Sequence, residues 1–176
     1  MRIEITNSEK KSLMKTLTQD RIYRIACLDS IALISERIQQ KGRKTDESQI
    51  GEYSDKTVSF KPITSQFHKI GTKKQVLSRY KTHGDIDEFY GYKDLRRALG
   101  RQVNYVDLTL TGQMIDSLVF DKTAYNEYSI GFANKAAADK AGWNEAKYGI
   151  VFELSNKEKE LVLETIEAHI DASLGR

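Results

Sequence analysis

The longest helical pattern in this 176-residue chain lies at its N-terminus. From about Ser8 to Gln40, apolar residues recur at steps of three or four, which places them on one side of an α-helix. Gly42 is the expected end, because glycine adopts the left-handed conformation that closes a helix without strain. The pattern is either one long helix or two, with Thr18 as the candidate N-cap of the second. Residues 1–42 are therefore predicted to form a helical segment that buries its apolar side on another element.

Two short stretches in the last third of the chain alternate apolar and polar residues, which is typical of half-buried strands. Residues 106–110 and residues 128–132 each place every second side chain on an apolar face. Thr111 is the expected N-cap of a short helix between them, and Met114 and Ile115 belong to the apolar side of that helix.

Two further helices are predicted after the second strand. Asn134 is the expected N-cap of an alanine-rich helix, KAAADKAGWNEAKY. We expect this helix to break or end near Gly142, with Trp143 and Tyr148 making its bulky contacts.

A capping box predicts the start of the last helix, with Ser155 and Glu158 each satisfying a backbone donor of the first turn. The apolar stripe that this helix is expected to bury comprises Leu161, Val162, Ile166 and Ile170. Strands and helices of this kind predict an α+β core over residues 91–176, with a small, mostly antiparallel sheet packed by helices, within a single domain.

The order of these motifs resembles the head–tail joining and tail-completion proteins of tailed bacteriophages. The resemblance is carried by Leu-Thr-x-Thr-Gly-x-Met-x-x-Ser-Leu at 108–118, Ile-Gly-Phe at 130–132, Trp-Asn-Glu-x-x-Tyr-Gly at 143–149 and Phe-x-Leu-Ser-x-x-Glu at 152–158. It covers roughly the last third of the chain. It implies a structural virion protein that forms a six- or twelve-membered ring in the neck, as connector, tail-completion or terminator protein. Its partners would be the portal-side adaptor and the tail proteins. The protein would lie in the neck of the virion, and in the host cytoplasm during assembly.

Between the helical segment and this core, the periodicity collapses over residues 43–90. The segment is too long for a plain loop, and its Thr, Ser, Tyr and Phe favour an extended arm or a β-hairpin. The resembling family likewise carries a variable polar insertion at this place. We expect the segment to lack a core of its own and to extend across a neighbouring subunit in the ring.

Charge is distributed unevenly along the chain. Residues 61–101 carry 10 Lys or Arg against 4 Asp or Glu, a net charge of +6, whereas residues 102–176 carry 7 against 12, a net charge of −5. Blocks of opposite sign suit a head-to-tail contact between subunits. They are equally compatible with a solvated surface of uneven charge, and the basic block with contact to nucleic acid.

The assembly-interface candidates lie in the basic block. A short helix, GYKDLRRALG, ends at Gly100 and should carry Arg96, Arg97 and Arg101 close together on its polar side. The other candidates are Lys73, Lys74, Phe67 and Tyr80, where cations that can neutralise phosphates alternate with aromatic rings that can stack on bases. The alternative function is therefore a nucleic-acid-binding protein that uses this middle segment, and contact with packaged DNA would be non-specific.

The sequence contains no phosphate-binding loop, dinucleotide fingerprint, zinc-protease motif or nucleophile elbow. Asp85, Asp87 and Glu88 are the best candidates for a metal site, but acidic loop tips are far commoner than metal sites. We expect no catalysis, no cofactor and no bound metal. Cys27 is expected to be a buried hydrophobe, and no apolar run approaches the roughly 20 residues of a membrane span.

Overall fold

One continuous helix of 30 residues, α1 (Asn7–Glu36), supports the rest of the fold. The computed structural model describes residues 7–60, 81–83, 86–125 and 127–174. The two-helix alternative at Thr18 is wrong, because the helix passes that position without a break. A π-helical turn (Arg37–Lys41) extends α1, and Gly42 ends it at φ 61°, donating to the carbonyls of the residues four and five positions earlier. The predicted stop is confirmed.

The remaining elements make two antiparallel sheets and three helices within the described residues. They are β1 (Val58–Phe60), β2 (Lys81–His83), β3 (Ile86–Phe89), α2 (Tyr92–Ala98), a 3₁₀ turn (Ile115–Ser117), β4 (Leu118–Ala124), β5 (Glu127–Phe132), α3 (Lys135–Tyr148) and α4 (Asn156–Leu174). The first sheet has the order β1-β3-β2, and β4 pairs with β5 in the second. The chain is therefore an α+β protein, as predicted. α4 packs on α1, and α1 also contacts β4 and β5.

The main core joins α1 to the loops and helices of the second half. Its buried members are Ile34, Ile38, Ile50, Val106, Met114, Ile115, Leu118, Ala141 and Val151. Ile38 and Val151 are fully enclosed, which places the end of α1 and the α3–α4 connection at the centre of the packing. A smaller cluster of Phe89, Leu95 and Leu99 attaches α2 to the first sheet.

Part of the middle segment packs on its own subunit. Ile50 is only 3% exposed in the main core, and Tyr53 packs against that core. Phe89 is buried against α2. The expectation that residues 43–90 as a whole lack packing on their own domain is therefore wrong for these positions, because single apolar residues spaced without periodicity still reach the core. Residues 61–80 lie outside the described residues.

The predicted strand at 106–110 is wrong. Its residues form an irregular turn, and Leu108 has a φ of 51° that a strand does not contain. The physical reason is Asp107, which is buried and bound by side chains that hold the backbone in this turn. Thr111 does not cap the following turn, whose N-cap is Met114 without a side-chain hydrogen bond.

The helices α3 and α4 begin at their predicted caps, but some of the side chains predicted to be buried on them are exposed. The Asn134 side chain accepts from the Ala137 N–H at 2.9 Å, as predicted. The predicted break near Gly142 is wrong, because α3 continues to Tyr148. Alanine-rich neighbours with high helix propensity offset the roughly 1 kcal/mol that an interior glycine costs. Trp143 makes little contact, being 71% exposed.

In α4, Ser155 and Glu158 form the predicted capping box. The Ser155 N–H donates to Glu158 Oε2 at 2.8 Å, and the Glu158 N–H donates to Ser155 Oγ at 3.3 Å. Val162 is buried, but Leu161 and Ile170 are each 41% exposed, so the predicted core stripe is wrong at those two positions. The buried face of α4 instead follows Ser155, Glu158 and Val162, because Glu158 is drawn inward by Arg37 of the π-helical turn that extends α1.

Candidate assembly interface

Arg96 is not a surface residue. It is 1% exposed, and its guanidinium lies beneath the turn that follows α2. It donates to Asp107 Oδ2 at 2.6 Å and to the carbonyl oxygens of Gln102 at 2.9 Å and Thr109 at 2.5 Å. The prediction that it forms part of a surface cluster is wrong, because this set of acceptors compensates the burial of its charge.

The Arg96 ion pair belongs to a closed polar network. Gln102 also donates to Asp107 Oδ2 at 2.7 Å, and the Tyr53 ring lies 5.0 Å from the guanidinium carbon of Arg96. Burial, reinforced by the Asp107 charge, raises the pKa of the Tyr53 hydroxyl, so this group stays neutral. Among the described side chains, every buried polar atom has a hydrogen-bond partner. The network therefore locks the turn and presents no free group to a substrate.

Arg97 and Arg101 do lie on the surface. Arg97 Nη1 donates to Asp94 Oδ1 at 3.0 Å within α2. The N–H groups of Gly100 and Arg101 close the helix on the carbonyls of Arg97 and Arg96, at 3.0 and 2.9 Å. This is a Schellman ending, with Gly100 at φ 66°. Two of the three predicted arginines thus remain available to a partner.

The other predicted interface residues, Lys73, Lys74, Phe67 and Tyr80, lie outside the described residues. So does Asp85 of the candidate metal cluster, whereas Asp87 and Glu88 belong to β3. In the part of the chain that the structure describes, no group of three His, Cys, Asp or Glu residues is placed to hold a metal ion. None of the helices in the described ranges combines the length and apolarity that a bilayer crossing requires.

A second buried ion pair, which the sequence analysis missed, fastens α4 to the end of α1. Arg37 Nε donates to Glu158 Oε1 at 2.8 Å, with both side chains under one tenth exposed. The rest of the Arg37 guanidinium donates to the carbonyls of Arg43, Val151 and Glu153. The available signal was an arginine next to Ile38, among the last apolar positions of the N-terminal helical pattern.

A cleft of about 440 Å³ opens beside this pair, between α1 and α4. It is lined by Leu33, Glu36, Arg37, Lys41, Arg43, Glu47, Gln49, Lys157, Glu158 and Leu161. Three of its cations already pair with three of its carboxylates: Arg37 with Glu158, Lys41 with Glu36, and Arg43 with Glu47. The cleft therefore offers little uncompensated charge to an ionic ligand.

A cluster at the surface ties α1 to the β4–β5 hairpin. Asp20 accepts from Lys122 Nζ at 2.5 Å and from the Tyr128 hydroxyl. The hydrogen bond from Lys122, followed by that from Tyr128, lowers the pKa of the Asp20 carboxyl. The same contacts with Asp20 raise the pKa of Lys122 and of Tyr128. The Tyr23 ring stacks on Tyr128 at 5.9 Å, so the cluster is a structural joint between helix and hairpin.

Large apolar side chains project from three of the helices and from the turns. They are Leu28, Tyr90, Tyr125, Trp143, Ile150, Leu161, Leu163 and Ile170, with exposed fractions from 41% to 71%. Exposed aromatic and aliphatic groups of this kind mark contact surfaces when they occur in groups rather than singly. Leu163 and Ile170 share one side of α4, two turns apart, and form such a group.

The chain was compared with protein-family models, curated proteins and solved structures, and no match was found in any of the three.

Proposed function

We propose that this protein is a structural assembly protein, and specifically a ring-forming component of the neck of a tailed bacteriophage. The observation that carries the proposal is the group of exposed apolar side chains on one side of α4, where Leu163 is 57% and Ile170 41% exposed, together with Leu28 on α1, which is 57% exposed. Exposing these groups to water is unfavourable, and burial against another subunit would remove that cost.

The two buried ion pairs support a scaffold role. Arg96 with Asp107, and Arg37 with Glu158, are enclosed and hydrogen-bonded. The first pair joins α2 to the turn that follows it, and the second joins residues 121 positions apart in the sequence. Such pairs do little for net stability but hold one geometry, because any shift leaves a buried charge without its partner. A ring subunit needs this rigidity, since small angular errors accumulate around a closed ring.

The motif residues on which the resemblance to the neck proteins rests also have structural roles in this fold. Glu145 Oε1 accepts from the N–H groups of Val151 and Phe152, at 2.9 and 3.0 Å, and so shapes the connection between α3 and α4. Gly149 turns the chain at φ 93°, and Ser155 opens α4. The resemblance therefore rests on residues that build a backbone junction, which supports a shared architecture.

The experiment that tests the proposal measures the mass of the purified protein over a range of concentrations by light scattering, followed by electron microscopy of any assemblies. We expect assemblies larger than a dimer, with rings in the images. A strictly monomeric or dimeric protein, alone and with neck partners from the same phage, would contradict the proposal.

Nucleic-acid binding is the second candidate, favoured by the +6 net charge of residues 61–101. Fluorescence anisotropy with labelled DNA at low and moderate salt tests it. Lys73→Gln with Lys74→Gln should weaken binding, and Lys135→Gln with Lys140→Gln on α3 is the control of equal charge change. Tight, salt-sensitive DNA binding lost only in the first variant, by a protein that does not assemble, would favour this candidate over the ring.

A further inference from the structure

The outer side of α4 combines an apolar edge with an unbroken acidic stripe. Leu163 and Ile170 are 57% and 41% exposed on that side. Beside them run four exposed carboxylates at steps of four, three and four residues, namely Glu160, Glu164, Glu167 and Asp171. From residue 160 to residue 174 the helix has no Lys or Arg.

This stripe works against the helix that carries it. Like charges three and four residues apart repel each other on a helix surface. Carboxylates near a helix C-terminus also oppose the helix dipole, and the last turn of α4 contains no basic residue to balance them. Within the described part of the chain, no Lys or Arg forms an ion pair with any of the four. The stripe is therefore explained better by a cationic partner than by the stability of its own subunit.

The outer side of α1 has the complementary composition. Arg21, Arg24 and Leu28 are exposed and lie three, four and seven residues apart, so they share one side of the helix. The opposite side holds the buried positions Ile22 and Ala26. An exposed leucine with two cations on one helix thus matches an apolar edge with four carboxylates on the other.

We infer that a second copy of this chain docks here, with the outer side of α1 of one subunit against the outer side of α4 of the next. Leu163 and Ile170 are two helical turns apart, about 10 Å, which leaves room for Leu28 to pack between them. Arg21 and Arg24 then face the acidic stripe. The two surfaces differ, so repeating the contact adds subunits in one direction and can close a ring. This contact rests on the proposed assembly function, because it is the contact that would join the subunits.

The test reverses the charges of each surface separately and then together. Glu164→Lys with Glu167→Lys, and Arg21→Glu with Arg24→Glu, should each weaken self-association by about tenfold or more in sedimentation experiments at low salt. The variant that carries all four changes should recover assembly, because the attraction is restored with its sign exchanged. Glu52→Lys with Asp139→Lys changes two exposed carboxylates on other elements and is the control of equal charge change. Circular dichroism checks the fold of every variant.

A cysteine pair gives a second measurement that does not depend on charge. In a Cys27→Ser background, Leu28→Cys together with Leu163→Cys should yield a ladder of disulfide-linked oligomers on mild oxidation, and neither single cysteine variant should. If a charge-reversed variant fails to fold, the presence or absence of this ladder tests the α1–α4 contact.

Assembly that is insensitive to both reversals, or no ladder from the cysteine pair in a protein that assembles, would overturn the α1–α4 contact and leave the proposed function standing. A wild-type protein that stays monomeric and gives no ladder would overturn the contact and self-assembly together.

Discussion

Replacing Glu158 by glutamine changes the shape of the side chain very little, yet it should destabilise the protein strongly. One oxygen of the Glu158 carboxylate accepts from Arg37 Nε and the other from the Ser155 N–H, both at 2.8 Å. Glutamine keeps one acceptor and replaces the other with a donor. Either the Arg37 Nε–H or the Ser155 N–H then faces an NH₂ group and loses its acceptor. Removing one partner of a buried ion pair typically costs 3–5 kcal/mol, of which Arg37 recovers some through its backbone carbonyl acceptors. We expect a loss of about 3 kcal/mol in the free energy of unfolding.

Urea denaturation followed by far-UV circular dichroism measures this loss. Ser155→Ala, which removes only the serine half of the capping box, should cost about 1 kcal/mol. Glu36→Gln breaks a solvent-exposed pair with Lys41 in the same region and should leave the midpoint nearly unchanged. In a double-mutant cycle with Arg37→Met, the coupling between the two sites should be about 2 kcal/mol. A loss below about 1 kcal/mol for Glu158→Gln, with additive effects in the cycle, would refute a buried ion pair as the fastening of α4.

Three further predictions follow from burial and charge. Val162→Ala should lower the free energy of unfolding by about 2 kcal/mol in urea denaturation, because the side chain is buried. Leu161→Ala should lower it by less than about 1 kcal/mol, because that side chain is partly exposed. The reverse order would place the other face of α4 in the core. Asp20 has a lowered pKa through its hydrogen bond from Lys122, so its contribution to stability is present above about pH 4 and is lost as pH falls through the lowered value. The acid limb of the stability curve should accordingly be flatter in Asp20→Asn, and identical limbs would contradict this linkage. Trp143, the sole tryptophan, should emit as a solvent-exposed indole that acrylamide quenches readily, and a blue-shifted, protected emission from the monomer would show that α3 is covered.

Three of the helix boundaries were predictable from the sequence, although the local signals at Thr18, Thr111 and Gly142 were wrong. Gly42 ends α1, Asn134 opens α3, and Ser155 with Glu158 opens α4, as their spacing indicates. Each of these signals depends on groups within one turn of helix, so the residues that make the contact are neighbours in the sequence as well as in space.

The surface and the buried charges were decided by tertiary structure. Arg96 and Arg97 are adjacent in the same helix, yet one is enclosed and the other exposed, because only Arg96 meets the turn that carries Asp107. Arg37 is buried because Glu158, 121 positions away, supplies the opposite charge.

The face of α4 shows the same division. Helical periodicity located the apolar residues of α4, but the rotation of the helix follows the inward pull of Arg37 on Glu158. Leu161 and Ile170 therefore turn partly to solvent. Propensity and capping act within a helical turn, whereas the choice of which polar groups enter the interior depends on partners that only the folded chain brings together.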